Sequence, residues 1–560
     1  MNTYTHPIGL AALFVLSLAA TTSQAQVNLT PEQGSCTSCT APAAPKAAPV
    51  QTPQTMPVVP SSTAATFRLN GVYLRGVRAL DGDELDTITA RYLNKDVTLS
   101  DLEELAQRIA EKYREHGYFL AEAVIPVQTV DDGVVEISVI EGRLGRINVN
   151  VTPDAPISET VVRAFLEPLK KGQALNGPQY ERVILLLSDL PGVIVSSRLE
   201  EGVQTGTTDL TVEVGAARRW TFSLDTDNQG LKETGRYRFG GSVRLASPFG
   251  VGDNLDVRLM VSNNSDLTAG RVGYEGPLGA SGLRGSVSFA HVNYQIGGEF
   301  ADLDPYGTAD IFDATLNYPL IRSRRQNLYL RLGMDMKRLK DSYRALDFTS
   351  RKRVSGMKLG WTWERRDAVL GGGYWASAGD WYRGRLNIRD ELSEEADRGP
   401  DGRNTRGNFT KITLQASRLQ RLIERHSLYF SLGGQWANKN LDASEKLSLG
   451  GAQAVRAYLS SQALVDKGFI GSLEWRWSMT ATMTPFVFYD MAAGWYSVDT
   501  LADETGNHQK LRGTGVGLQW ARAGNFSVNA TVAWRVKARS DNADKSGQNP
   551  RLFVQLQKVF

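Results

Sequence analysis

The chain has 560 residues, with 63 basic and 60 acidic side chains and a formal net charge of +3. A balance this close excludes a global electrostatic case for nucleic acid or an acidic substrate. Outside the extreme N-terminus no apolar run is long enough for a spanning helix, so any residence in a membrane must come from strands.

Residues 1–25 read as a secretory signal. Residues 8–20 (IGLAALFVLSLAA) form an apolar core too short for a stable membrane helix, and Ser23-Gln-Ala25 supplies a small-x-small cleavage site. Residues 26–65 are rich in Ala, Pro, Thr, Gln and Ser and bury too little apolar area to offset ordering, so they read as an extended linker. Prolines through this stretch leave only residues 27–33 for a helix, marginal in water at about one to two turns. Cys36 and Cys39 stand here as a CxxC. One reading is a redox or metal pair, but zinc needs further ligands and none is near. The other is a small disulfide loop formed after export, favoured because no βαβ context surrounds it.

At Phe67 the texture changes. Residues 67–74 alternate as a strand, and 84–92 look helical. Ser100 and Glu103 have capping-box spacing, and Leu102, Leu105, Ala106, Ile109 and Tyr113 form one apolar stripe before Gly117 ends the helix. Strands follow at 121–125 and 134–140. The order β-α-α-β-β then recurs, with strands at 145–151, 193–199 and 208–214 and helices at 159–169 and 178–190. Two tandem α+β modules are expected, over 66–142 and 143–216.

From Trp220 helical periodicity nearly vanishes, and 217–560 reads as one all-β unit. Phe469, Leu473, Trp475 and Trp477 alternate with Ser472, Glu474 and Arg476, and a similar two-residue period recurs in about sixteen antiparallel segments. Apolar residues on one face and charged ones on the other suit a transmembrane barrel with a polar interior, where carboxylates such as Asp256, Asp335 and Glu474 line the lumen. The last segment keeps the pattern, with Leu552, Val554, Leu556 and Phe560 on one face and Phe553, Gln555 and Gln557 on the other. Lys558 breaks the apolar phase where a long side chain snorkels to the interface.

Between the eleventh and twelfth segments lies Leu449-Gly-Gly-Ala-Gln-Ala-Val-Arg-Ala-Tyr458, with loop glycines Gly450 and Gly451 ahead of Val455, Arg456, Ala457 and Tyr458. With this loop, the tandem modules and the terminal aromatic, the chain resembles the two-partner secretion transporters of the haemolysin and filamentous-haemagglutinin exporter type, within the outer-membrane insertase superfamily. The resemblance spans 67–560. It implies a signal, two polypeptide-transport-associated (POTRA) domains in the periplasm, a sixteen-stranded outer-membrane barrel, and a Val-Arg-Gly-Tyr/Phe loop folded back into it. It also implies that the loop arginine meets an aspartate of a Phe-x-Asp-x-Gly motif on the thirteenth strand. Many members of that family begin with a helix that plugs the resting barrel; with only 27–33 free to be helical, a very short plug or none is expected here. Here Phe488 and Asp490 match that motif, Ala492 stands where Gly is expected, Gly494 follows two residues later, and Ala457 replaces the usual loop Gly.

Physical chemistry supports such a pair. A guanidinium cannot shed its proton, so an arginine inside a lumen needs an acceptor, and Asp490 on an inward position offers a bidentate one. Without the second motif, Arg456 would read as an ordinary solvated loop residue. The modules present sheet edges on which an extended segment of an unfolded client adds as a strand, or else they serve only as scaffolding. The resemblance implies a large β-helical exoprotein of adhesin or haemolysin type, with an N-terminal secretion domain, as the client. Outer-membrane lipid is the expected surround, periplasmic chaperones are further candidate partners, and a monomeric pore is expected, with no nucleic acid, cofactor or metal. No nucleophile–base signature accompanies the five scattered histidines, so no enzyme is read. Two rivals stand. An assembly insertase of the same superfamily usually carries three or five POTRA units rather than two, and a passive porin has no need of the modules.

Overall fold

The computed structural model describes residues 66–264, 266–460, 462–501, 505–536 and 548–560. The expected signal and linker, the plug expectation, and Cys36 and Cys39 lie outside the described residues. The chain divides into two compact units, one ending at Ala217 and one running from Arg218 to Phe560.

The first unit holds the two modules. In the first, Gly71–Arg75 lies parallel to Val134–Ile140, which pairs antiparallel on its other side with Glu122–Val124. In the second, Arg143–Val151 lies parallel to Thr207–Ala216, which pairs antiparallel with Val193–Glu201. The repeat expected from the sequence is therefore a repeat of topology, with the last strand of each module central and the other two at the edges. The first module departs from the simple order. The segment 67–74 is two strands, Phe67–Leu69 and Gly71–Arg75, and Phe67–Leu69 pairs with an extra strand, Lys95–Val97, between the helices.

The helices, Gly82–Thr89 and Leu99–Glu115, cover one face of the first sheet. Leu85, Leu102, Leu105, Ile109, Tyr113, Val135 and Ile137 close its core, and each large aliphatic chain so buried contributes about 1.5–3 kcal/mol. The capping box lies two residues earlier than the sequence reading put it. Thr98 is the N-cap and accepts from the Asp101 N–H at 3.2 Å, while the Asp101 carboxylate accepts from the Thr98 N–H at 2.7 Å. Ser100 and Glu103 share that spacing, but the strand ending at Val97 hands the chain directly to Thr98, so Ser100 is already inside the first turn. Gly117 does end the helix, at φ +90°, where only glycine sits without strain. It also marks the join of the modules, since its carbonyl accepts from the Gly177 N–H at 2.8 Å and Phe119 lies beside Tyr180.

Sixteen antiparallel strands, from Trp220–Asp227 to Arg551–Val559, close into a barrel. The expected segments each fall on one of them. The faces are inverted relative to a soluble protein: Leu330, Leu332, Met334, Leu473, Trp475 and Trp520 stand exposed on the outside, as a lipid-facing belt requires. Charges face in and pair between neighbouring strands, as in Arg238–Asp227, or across an intervening strand, as in Arg258–Asp225, Arg331–Asp380 and Arg418–Asp367, each at 2.8 Å. No helix among the described residues is long and apolar enough to cross a membrane; strands make the crossing.

Candidate functional site

The segment between the eleventh strand, His426–Ala437, and the twelfth, Lys467–Trp477, folds over itself. A two-residue ladder, Leu447–Ser448 with Leu464–Val465, closes its base. Above it the Val455 N–H reaches the Leu449 carbonyl at 3.1 Å and the Gly451 N–H reaches Tyr458 at 2.9 Å. Such a close chain crossing needs the two glycines. A Cβ on Gly450 would meet the Leu459 carbonyl oxygen at 2.3 Å, and Gly451 has φ +111°. Leu449, Val455, Ala457 and Tyr458 then pack against Phe486, Phe488, Ala492, Leu511 and Ala533 of the wall. This is a small apolar core built between a loop and its own barrel.

Into that core the loop carries one charge. Arg456 donates from Nε to Asp490 Oδ2 at 2.8 Å and from Nη2 to Oδ1 at 2.7 Å, and its backbone N–H also reaches Oδ2, at 3.1 Å. Nη1 donates to Glu474 Oε1 at 2.8 Å and Nη2 to Ser472 Oγ at 3.0 Å. The guanidinium carbon lies 3.5 Å from the centroid of the Phe488 ring, which covers its face. Arg476 completes the set by bonding the other oxygen of Glu474 at 2.7 Å. Two arginines and two carboxylates alternate, so the cluster is neutral while Asp490 is fully buried. Charges out of water are tolerable only with this degree of pairing.

The strand register explains the assembly. Asp490, on the thirteenth strand Met483–Trp495, sits opposite Ser472 on one side and Gly513 on the other. Gly513 leaves the space that Ala457 fills, because a Cβ there would lie 2.9 Å from the Ala457 methyl. Neither Ala457 nor Ala492 has a positive φ, so alanine in place of the usual glycine is unstrained at both. Gly494 stands apart from Arg456; it faces Val465 at the loop base, where a Cβ would come within 2.8 Å. The structure thus brings Val455, Arg456, Ala457, Tyr458, Phe488 and Asp490 together and seats Gly494 at the hairpin below. The sequence reading placed Glu474 in the lumen without its partner, and it missed Ser472, Arg476 and Gly513. The alternation through Phe469–Trp477 marks the first three as inward, but only the cross-strand register brings them to Asp490.

A barrel of this kind, with paired N-terminal modules and a loop pinned inside, defines an outer-membrane protein transporter. Residues 206–520 match the family described as haemolysin secretion/activation protein ShlB/FhaC/HecB, and residues 67–142 match the POTRA domain of ShlB type. The chain belongs to that family. It is 28% identical over 471 residues to the heme/hemopexin transporter protein HuxB of Haemophilus influenzae, covering 83% of this chain and 82% of the relative. It is 25% identical over 487 residues to the outer membrane transporter CdiB of Dickeya dadantii, covering 85% and 83%. Among solved structures, CdiB from Escherichia coli shares the fold with a TM-score of 0.72 at 20% identity, covering 90% of this chain and 93% of that one. The protein is a two-partner secretion transporter of the outer membrane, with its POTRA modules in the periplasm, and its partner is a secreted exoprotein.

Proposed function

We propose that Arg456 and Asp490 form a latch that holds the loop across the lumen until a client displaces it. The observation that carries this reading is the bidentate, buried Arg456–Asp490 pair. The client is a large adhesin- or haemolysin-type chain, captured through an N-terminal secretion domain as an extended strand. Two sheet edges support that capture. Among the described residues Val193–Glu201 pairs only with Thr207–Ala216, and Glu122–Val124 only with Val134–Ile140, so each leaves one row of backbone groups open to an added strand. Periplasmic chaperones deliver the client unfolded, outer-membrane lipid surrounds the barrel, and one chain forms the pore. Nothing in this route calls for an enzymatic step, a cofactor or a metal.

The test is co-expression with the exoprotein, with secreted and periplasmic client measured for the wild type and for Arg456→Ala at equal amounts of inserted barrel. Export is expected to fall to a small fraction of wild type in the variant. Undiminished export would refute the latch.

A further inference from the structure

The same loop is tied down a second time, with the polarity reversed. Ahead of the hairpin, Asp442 and Glu445 are buried carboxylates, and the charges that meet them are lysines of the barrel wall. Lys337, from the seventh strand Gln326–Tyr343, bonds Glu445 Oε1 at 2.7 Å, and Lys411, from the tenth strand Gly407–Ile423, bonds Oε2 at 2.8 Å. Lys352, from the eighth strand Phe348–Asp367, bonds Asp442 at 2.7 Å. Asp466, at the far end of the loop and fully buried, pairs with Lys446 at 2.9 Å and accepts the Leu441 and Val498 N–H groups. Leu441 itself sinks into an apolar pocket of Val354, Leu386, Ile388 and Phe409.

We propose that the loop is a strap with two anchors, in which Asp442 and Glu445 seated among Lys337, Lys352 and Lys411 form a fixed hinge and Arg456 forms the releasable tip. The proposal rests on the latch reading of Arg456 and adds a division of labour. The tip's only charged tie is one arginine, set among the apolar contacts of Leu449, Val455, Ala457 and Tyr458, whereas the base is held from three strands by three ion pairs and an apolar side chain, with Asp466 joining its two ends. Loss of the Arg456 contacts therefore frees the segment 449–460 and leaves 440–446 in place. Export requires the strap to swing about its base rather than leave the lumen wall. Asp442, Glu445 and the three lysines are positioning residues, since they act by fixing where the tip returns.

Thiol labelling of the full chain in isolated outer membranes tests this, in a Cys36→Ser/Cys39→Ser background. One reporter is Ser444→Cys at the base and the other Val455→Cys at the tip, both fully buried positions; the probe is a membrane-impermeant maleimide. Arg456→Ala should speed modification at 455 by at least about a hundredfold, the low end of what loss of one partner of a buried ion pair corresponds to, and leave 444 unchanged. Asp442→Asn/Glu445→Gln should expose 444 by a similar factor, whereas the full exchange Glu445→Lys with Lys337→Glu and Lys411→Glu should keep 444 protected, which a merely misfolded barrel would not. Equal exposure of both positions by Arg456→Ala, or continued protection of 444 in Asp442→Asn/Glu445→Gln, would overturn the hinge. A tip that stays protected in Arg456→Ala would instead count against the latch, and the hinge would still be judged by the second pair of variants.

Discussion

Asp490 has no exposed surface, and its charge is compensated by Arg456 with help from the Ser472 hydroxyl. Removing either partner strands the other, at about 3–5 kcal/mol for a buried pair. Asp490→Ala should therefore reproduce the export defect of Arg456→Ala, and the double variant should be no worse than either, as a cycle of secretion assays on the inserted, heat-modifiable barrel would show. Gly513 gives a sharper check. Gly513→Ala should unseat the loop because its methyl collides with Ala457, while Gly513→Ala with Ala457→Gly should recover export, since the clash goes with the methyl. In the first module Glu141 carries a comparable burden. Burial alone would raise its carboxyl, but the Ala79 and Arg78 N–H groups, then Arg143 and Tyr113, donate to it and hold it below the usual range. A depressed carboxyl contributes stability that is complete above its unfolded value, about 4.3, and is lost as pH falls through the folded value. In urea melts of the 66–216 fragment, Glu141→Gln should be less stable by about 1–3 kcal/mol at pH 7, with the gap closing on acidification; a gap independent of pH would contradict this role.

At the scale of elements, the two modules have client capture as their assigned task. Deleting 66–216 should leave a barrel that conducts ions and exports nothing, and the isolated fragment should bind the client's N-terminal domain. No binding at tens of micromolar, a weak affinity for any capture step, would remove that assignment. Most elements were legible because their periods are enforced by burial. Leu102, Leu105, Ile109 and Tyr113 can share a face only on a helix, and the Phe469–Trp477 alternation has one inward set once lipid takes the other side. What stayed hidden depends on the chain meeting itself. Thr98 and Ser100 both fit a cap, and the choice was made by where the strand ending at Val97 stops. The division of 67–74 between two strands was set by distant partners, Lys95–Val97 and Val134–Ile140. Arg456 and Asp490 could be named from two motifs, whereas the lysine seat had no motif and required three separate strands to converge on Glu445 and Asp442.

For the whole molecule, a lumen occupied by residues 440–466 should conduct poorly. Removing that segment should raise single-channel conductance in planar bilayers, and an unchanged conductance would show that the loop does not obstruct ion flow. The barrel also carries an order of assembly. Its seventh strand pairs along its whole length with the eighth, Gln326–Tyr343 against Phe348–Arg365, across a tight turn. Its first and last pair from Ser223–Asp227 to Gln555–Val559, extended by bonds between Phe222 and Phe560 at one end and from the Asn228 backbone and side chain to Val554 and Leu552 at the other. Bringing together segments more than 300 residues apart, rather than about ten, costs roughly 3 kcal/mol more in loop closure, against the smallest hydrogen-bonded return in the ring. The long hairpins in the middle of the chain are thus the ones able to form early, and the circle is completed last, by its weakest join.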